Sequence, residues 1–291
     1  MSTDPNTPNP SDANDSVLPT MAVPYEPPAA VGPRARMRTL SWASPFRWLE
    51  LGRKDLFKHP GIALFYGVCF FLMAQLLALV FKHKPEYTLS MISGCLLIGP
   101  FLAMGLYEVS RRLERGEHPE MASSLMCWDQ HIPSMAMLVL VLMVLELLWG
   151  RASLVVFAVF FDTGMPSTTS VMEAVFNPKN IEFVLVYLAV GGVFAALVFG
   201  LSVVSIPMIL DRDTDAISAV LTSMRVVLTH TAVLMLWGAL LGTLVVAALW
   251  PWALGIIFVG PWLGHASWHA YRGSVDWDES PVEAVTLGTN K

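Results

Sequence analysis

The stretch "GPWLGHASWHAYRG", residues 260–273, places His265 and His269 four residues apart inside an apolar segment. On a helix that spacing puts both imidazoles on one face, where two ring nitrogens can be offered to one metal ion. A transition metal needs further ligands, and Tyr107, Glu108 and Asp211 stand at the ends of other apolar segments as available donors. A haem takes axial ligands from opposite sides of its ring, so two histidines on one face do not complete such a site. The competing reading needs no cofactor. It makes the pair interfacial, in an aromatic belt with Trp262, Trp268 and Tyr271 and with Arg272 as anchor.

A second chemical signal is "LELLWGRASLVVF", which carries Glu146 and Arg151. Counted from Pro133 at a helical rise of 1.5 Å per residue, Glu146 lies roughly 20 Å and Arg151 about 27 Å along the helix. Arg151 can snorkel to an interface, whereas a carboxylate held in lipid marks a functional site with a partner. The alternative is a tilted helix that brings Glu146 to the headgroups, in loose contact with Arg151. Three further residues, Pro100, Pro207 and Pro261, stand toward the same ends of three apolar segments. Each lacks an amide proton and frees the carbonyl four residues back, at Leu96, Val203 and Ile257. In lipid those carbonyls must meet protein or water. They either line a polar cavity or mark plain kinks.

The elements that must position these groups follow from composition. Of 291 residues, 55% are hydrophobic and only 14% charged, and the mean hydropathy is +0.57. A soluble chain carries about a quarter of its residues charged. Apolar runs of roughly 20 residues, enough to cross about 30 Å of hydrocarbon, recur along the chain. The expected fold is all-α, a polytopic membrane helical bundle with six transmembrane helices near 61–81, 88–107, 133–161, 181–210, 231–249 and 252–271. The bilayer is then the principal partner. A net charge of -5, with the arginines flanking spans, excludes a nucleic-acid partner. Cys69, Cys95 and Cys127 show no C-x-x-C spacing and read as small buried hydrophobes.

Residues 1–38, rich in Pro, Asn, Asp, Ser and Thr, read as a disordered tail with neither a signal peptide nor a span. The helical domain is expected over 39–273 and a flexible tail over 274–291. Arg34, Arg36, Arg38, Arg47, Arg53, Lys54 and Lys58 precede the first span, and Arg111, Arg112, Arg115, Arg212, Arg225 and Arg272 fall on the same side. Only Lys82, Lys84 and Lys179 face them. Both termini are therefore expected in the cytoplasm, the protein lying in a bacterial inner membrane.

Two segments repeat a plan on that side. In "SIPMILDRDTDAISAVLTSMRVVLTH" an acidic turn, with Asp213 or Thr214 as cap, precedes a helix whose Ile217, Val220, Leu221, Met224, Val227 and Leu228 share a face. In "GPFLAMGLYEVSRRLERGEHPEMASSLMCW" Pro119 suits a first helical turn, and Met121, Leu125 and Trp128 form a shorter stripe. Two interfacial amphipathic helices are expected, one after span two and one after span four.

These two motifs, with "GPWLGHASWHAYR", resemble a bacterial family of integral membrane proteins, the domain of unknown function numbered 2189, over residues 40–273. Some members carry a cytochrome c oxidase label, which implies at most an association with a terminal oxidase. The chain lacks the several intramembrane histidines of a catalytic oxidase subunit: His59, His83, His118, His131 and His230 fall near helix ends or loops. It also lacks G-x-S-x-G, Walker and G-x-G-x-x-G motifs. The expected role is non-enzymatic, an accessory or scaffold subunit, with Gly191, Gly192, Gly238 and Gly242 as close-packing positions. The alternatives are a small-molecule or ion transporter and a haem- or metal-binding accessory protein of an oxidase.

Overall fold

In the computed structural model the described residues are 34–83, 88–161 and 180–278. Most of the two expected tails, and residues 84–87 and 162–179, lie outside them. The described chain is helical apart from one pair of short strands, β1 (Arg34–Met37) and β2 (Val275–Asp278), which form a two-stranded sheet. That sheet, just beyond both ends of 39–273, is not foreshadowed by any alternating pattern in the sequence.

The helices are α1 (Ser44–Lys58), α2 (Pro60–His83), α3 (Thr88–Glu114), α4 (Met121–Met126), α5 (Ile132–Phe160), α6 (Ile181–Ser202), α7 (Ser205–Arg212), α8 (Ala216–Thr229), α9 (Thr231–Ala248) and α10 (Ile256–Ser274). Four stretches, Pro60–His83, Met121–Phe160, Ile181–Arg212 and Thr231–Ala248, are long and apolar enough to cross a membrane. The other two expected spans coincide with α3 and α10, which bury Glu108 and Ser110, and His265 and Ser274, respectively.

The helix α1 was not foreseen, because its basic residues read as the flank of a span. Pro45 starts it, Lys58 ends it, and Trp48, Gly52, Asp55 and Leu56 fall on one buried face. That face lies on α10 at close range: a Cβ on Gly52 would stand 2.5 Å from the Ala266 nitrogen. Trp262 donates its indole N–H to the Leu49 carbonyl at 2.8 Å, and Trp48 meets Trp237 of α9 edge-on at 5.6 Å. The largest core gathers Trp48, Leu138, Ile209, Trp237 and Trp268 from five helices. Away from it, Val156, Phe157 and Phe183 form a separate cluster between α5 and α6. Leu185, Leu188 and Val193 of α6 and Leu147, Leu148 and Val155 of α5 are exposed, a belt suited to lipid.

The fourth span is not continuous. α6 stops at Ser202 and α7 restarts at Ser205, so Pro207 is the third residue of a new helix rather than a kink within 181–210. There Pro207 has no call on the amide proton it lacks. The gap is bridged by Ser223 of α8, which accepts from the Val204 N–H at 3.2 Å and donates to the Gly200 carbonyl at 2.6 Å. Ser124 of α4 likewise donates to the Gly105 carbonyl of α3 at 2.7 Å, and its hydroxyl meets Tyr66 Oη at 2.8 Å. Both short helices thus plug a serine into a glycine carbonyl of the preceding long helix.

The expected apolar stripe of α8 divides between the bundle and the outer surface. Ala219, Ser223, Val226 and Val227 face the bundle, while Ile217, Leu221 and Leu228 are exposed. Small residues permit the close approach, and the large apolar ones are left for the bilayer. Its cap is Asp215, which accepts from the Ser218 N–H at 2.9 Å. Asp213 instead ends α7 in the left-handed region, with φ 49°.

Candidate functional site

The polar residues of α10 face inward, toward α1 and α3. His269 Nε2 stands 2.7 Å from Asp55 Oδ2, and His265 Nδ1 stands 2.8 Å from Ser110 Oγ. Asp55, Ser110 and His265 are buried. Burial pushes the Asp55 carboxyl upward, but hydrogen bonds from His269 and Ser110 and the nearby imidazoles outweigh it and hold the group below its ordinary value. Two buried or part-buried hydrogen-bonded pairs, His269 with Asp55 and His265 with Ser110, thus tie α10 to α1 and to α3.

This placement overturns the aromatic-belt reading. His265 is 1% exposed, Trp268 1% and Tyr271 0%, because α10 runs between α1, α2 and α3 rather than along the lipid boundary. Arg272 pairs with Glu114 at 3.1 Å and with Asp211 at 3.7 Å. The extra ligands considered for a metal are engaged elsewhere. Tyr107 packs in the core, Glu108 pairs with Arg111 and Arg112, and Asp211 accepts from the Tyr271 hydroxyl at 2.8 Å. Among the described residues no group of three or more His, Cys, Asp or Glu is placed to hold a metal ion. His265 and His269 share a face, as their spacing requires, but turn to separate partners.

Glu146 is buried, facing a cleft of about 210 Å³ between α5 and α6 that Trp149, Gly191, Phe194 and Val198 help to line. Arg151 is exposed. Pro100 and Pro261 lie inside α3 and α10. The carbonyl freed by Pro261, that of Ile257, is covered by Gly67 of α2, where a Cβ would collide with the oxygen.

Beside His269 a larger cavity of about 480 Å³ opens between β1, α1 and the end of α10. Arg38, Arg47 and Arg272 line it, with Ser44 and Glu114.

Asp55 and Ser110 escaped the sequence reading. Asp55 had one usable signal, its place seven residues after Trp48 on the apolar face of an amphipathic helix. Ser110 had none.

A family match runs over residues 87–211, narrower than the 40–273 over which the motifs carry the resemblance. It takes in Ser110 but not Asp55, His265 or His269. No curated protein and no solved structure matches the chain. With several helices apolar enough to span a bilayer, the chain is an integral membrane protein, and over residues 87–211 it matches the family described as predicted integral membrane protein, DUF2189.

Proposed function

We propose that this protein is a non-enzymatic accessory or scaffold subunit of a bacterial inner membrane, with both termini in the cytoplasm. One observation carries the reading: the side chains able to do chemistry are engaged in contacts between helices. Asp55 with His269, Ser110 with His265 and Asp211 with Tyr271 join α1, α3, α7 and α10. Such buried and part-buried pairs fix a single arrangement of the bundle, a use of polar groups distinct from turnover. The flanks of α5 and α6 remain for lipid and a partner helix. Through the family resemblance, the partner class to test first is a terminal oxidase.

A photo-crosslinking residue at Leu188, 64% exposed on α6, tests this in native membranes. One membrane protein captured in stoichiometric yield is expected, and adducts with lipid alone overturn the reading. Reporter fusions in 84–87 and 162–179 are expected to report the non-cytoplasmic side.

A second reading, transport, is favoured by Glu146 on its cleft between α5 and α6. It expects Glu146→Gln to abolish solute or proton flux in proteoliposomes while leaving folded protein. Equal flux in both proteins removes Glu146 from any such mechanism.

A further inference from the structure

We infer that the cavity between β1, α1 and α10 is a binding site for a phosphate-bearing anion, at the level of the lipid headgroups. At about 480 Å³ it falls within the range of small-ligand sites, about 300–1,000 Å³. Three guanidinium groups line it, Arg38, Arg47 and Arg272, against a single lining carboxylate, Glu114.

Two of the arginines are held in place by the fold. Arg38 pairs with Asp276 at 3.1 Å and Arg272 with Glu114 at 3.1 Å. A guanidinium carries five N–H donors in a fixed fork, so the one carboxylate partner of Arg38 and the two of Arg272, Glu114 and Asp211, leave donors to spare for phosphate oxygens. Arg47, exposed on the second turn's approach of α1, forms no ion pair with any described residue. Thr39, Ser41 and Ser44 add hydroxyl groups to the wall, and hydroxyls together with arginine forks are the donors that phosphate geometry favours. The imidazole of His269 closes the inner end, its Nε2 already committed to Asp55.

The surroundings place this pocket at an interface. Trp42, just ahead of α1, and Phe46 on it are 64% and 56% exposed and adjoin the lining residues Ser41, Ser44 and Arg47 in the chain, and exposed aromatic rings next to arginine sit at the headgroup boundary. The occupant is therefore a phosphodiester headgroup of an anionic lipid or a soluble phosphate ester, which share the recognised group.

The purified protein in a mild neutral detergent, at 0.15 M salt to screen exposed charges, is titrated with three probes. They are short-chain phosphatidylglycerol, glycerol 3-phosphate and short-chain phosphatidylcholine. The readouts are the shift in Tm and the tryptophan fluorescence, since Trp48 lines the cavity. Saturable stabilisation by phosphatidylglycerol alone assigns the lipid, and stabilisation by glycerol 3-phosphate as well assigns a soluble ester. Arg47→Gln, which removes no contact of the fold, is expected to raise the half-saturating concentration at least tenfold, with Arg47→Lys in between. Arg225→Gln, an exposed arginine on α8, is expected to change nothing. Equal responses to phosphatidylcholine, no saturable response, or equal midpoints for Arg47→Gln and wild type would each overturn the site.

Discussion

Gly67 of α2 lies directly against the carbonyl oxygen of Ile257 in α10, the carbonyl that Pro261 leaves without its helical donor. The approach shields that oxygen from lipid without a hydrogen bond from a side chain. Any Cβ at position 67 must push the two helices apart. Gly67→Ala is therefore expected to cost about 1–3 kcal/mol, read as a lowered Tm of the detergent-solubilised protein. An unchanged Tm would show that the two helices are free to separate there.

Ser223→Ala removes the hydroxyl that serves both Val204 and Gly200 across the break between α6 and α7. A buried N–H and a buried carbonyl are then left without a partner, at about 1–3 kcal/mol for each such group. Ser124→Ala is expected to act in the same direction at Gly105, and to free the Tyr66 hydroxyl too. Thermal melts compare the two.

The Asp55 carboxyl titrates below its ordinary value of 3.8. A carboxylate with a depressed folded-state pKa contributes stability that is fully present above the unfolded value and lost as pH falls through the folded one. The stability gap between wild type and Asp55→Asn is thus expected to be constant from neutral pH down to about pH 4, and to close below it. Asp55→Ala, which leaves His269 facing a gap, is expected to cost on the order of 3 kcal/mol at pH 7. Chemical denaturation across a pH series measures both.

Asp215 caps α8 through the Ser218 N–H. Asp215→Ala is expected to cost about 1 kcal/mol and Asp215→Asn only a fraction of that. Hydrogen exchange of the first α8 amides is the sharper measurement, since the effect is local to that turn.

The membrane helices were legible because long apolar runs are a property of composition, readable without knowing any contact. The histidine pair was legible for a similar reason, a spacing of four. Its partners were not: Asp55 is 214 residues from His269, and Ser110 is 155 residues from His265, distances at which spacing carries no information. The belt reading failed on the same ground, since an aromatic helix end looks alike at a lipid boundary and in the middle of a bundle. Pro207 was read as a kink because the apolar run continues across 203–204, and only Ser223, from another helix, makes a break there tolerable. The stripe on α8 was legible from its spacing, but not that Val227 of the same stripe turns into the bundle, because large apolar residues fit a core and a bilayer equally well.

The packing of α1 on α10 has a consequence for the order of assembly. Among the described helices the ribosome completes α1 first and α10 last, more than two hundred residues later. Until α10 arrives, Trp48 lacks its contact with Gly273, the Leu49 carbonyl lacks its indole donor, and Asp55 has no imidazole. α1 must therefore wait at the membrane surface, held by its exposed aromatics, while every other helix is inserted. The last of the described helices then acts as a keystone that locks α1 into its place.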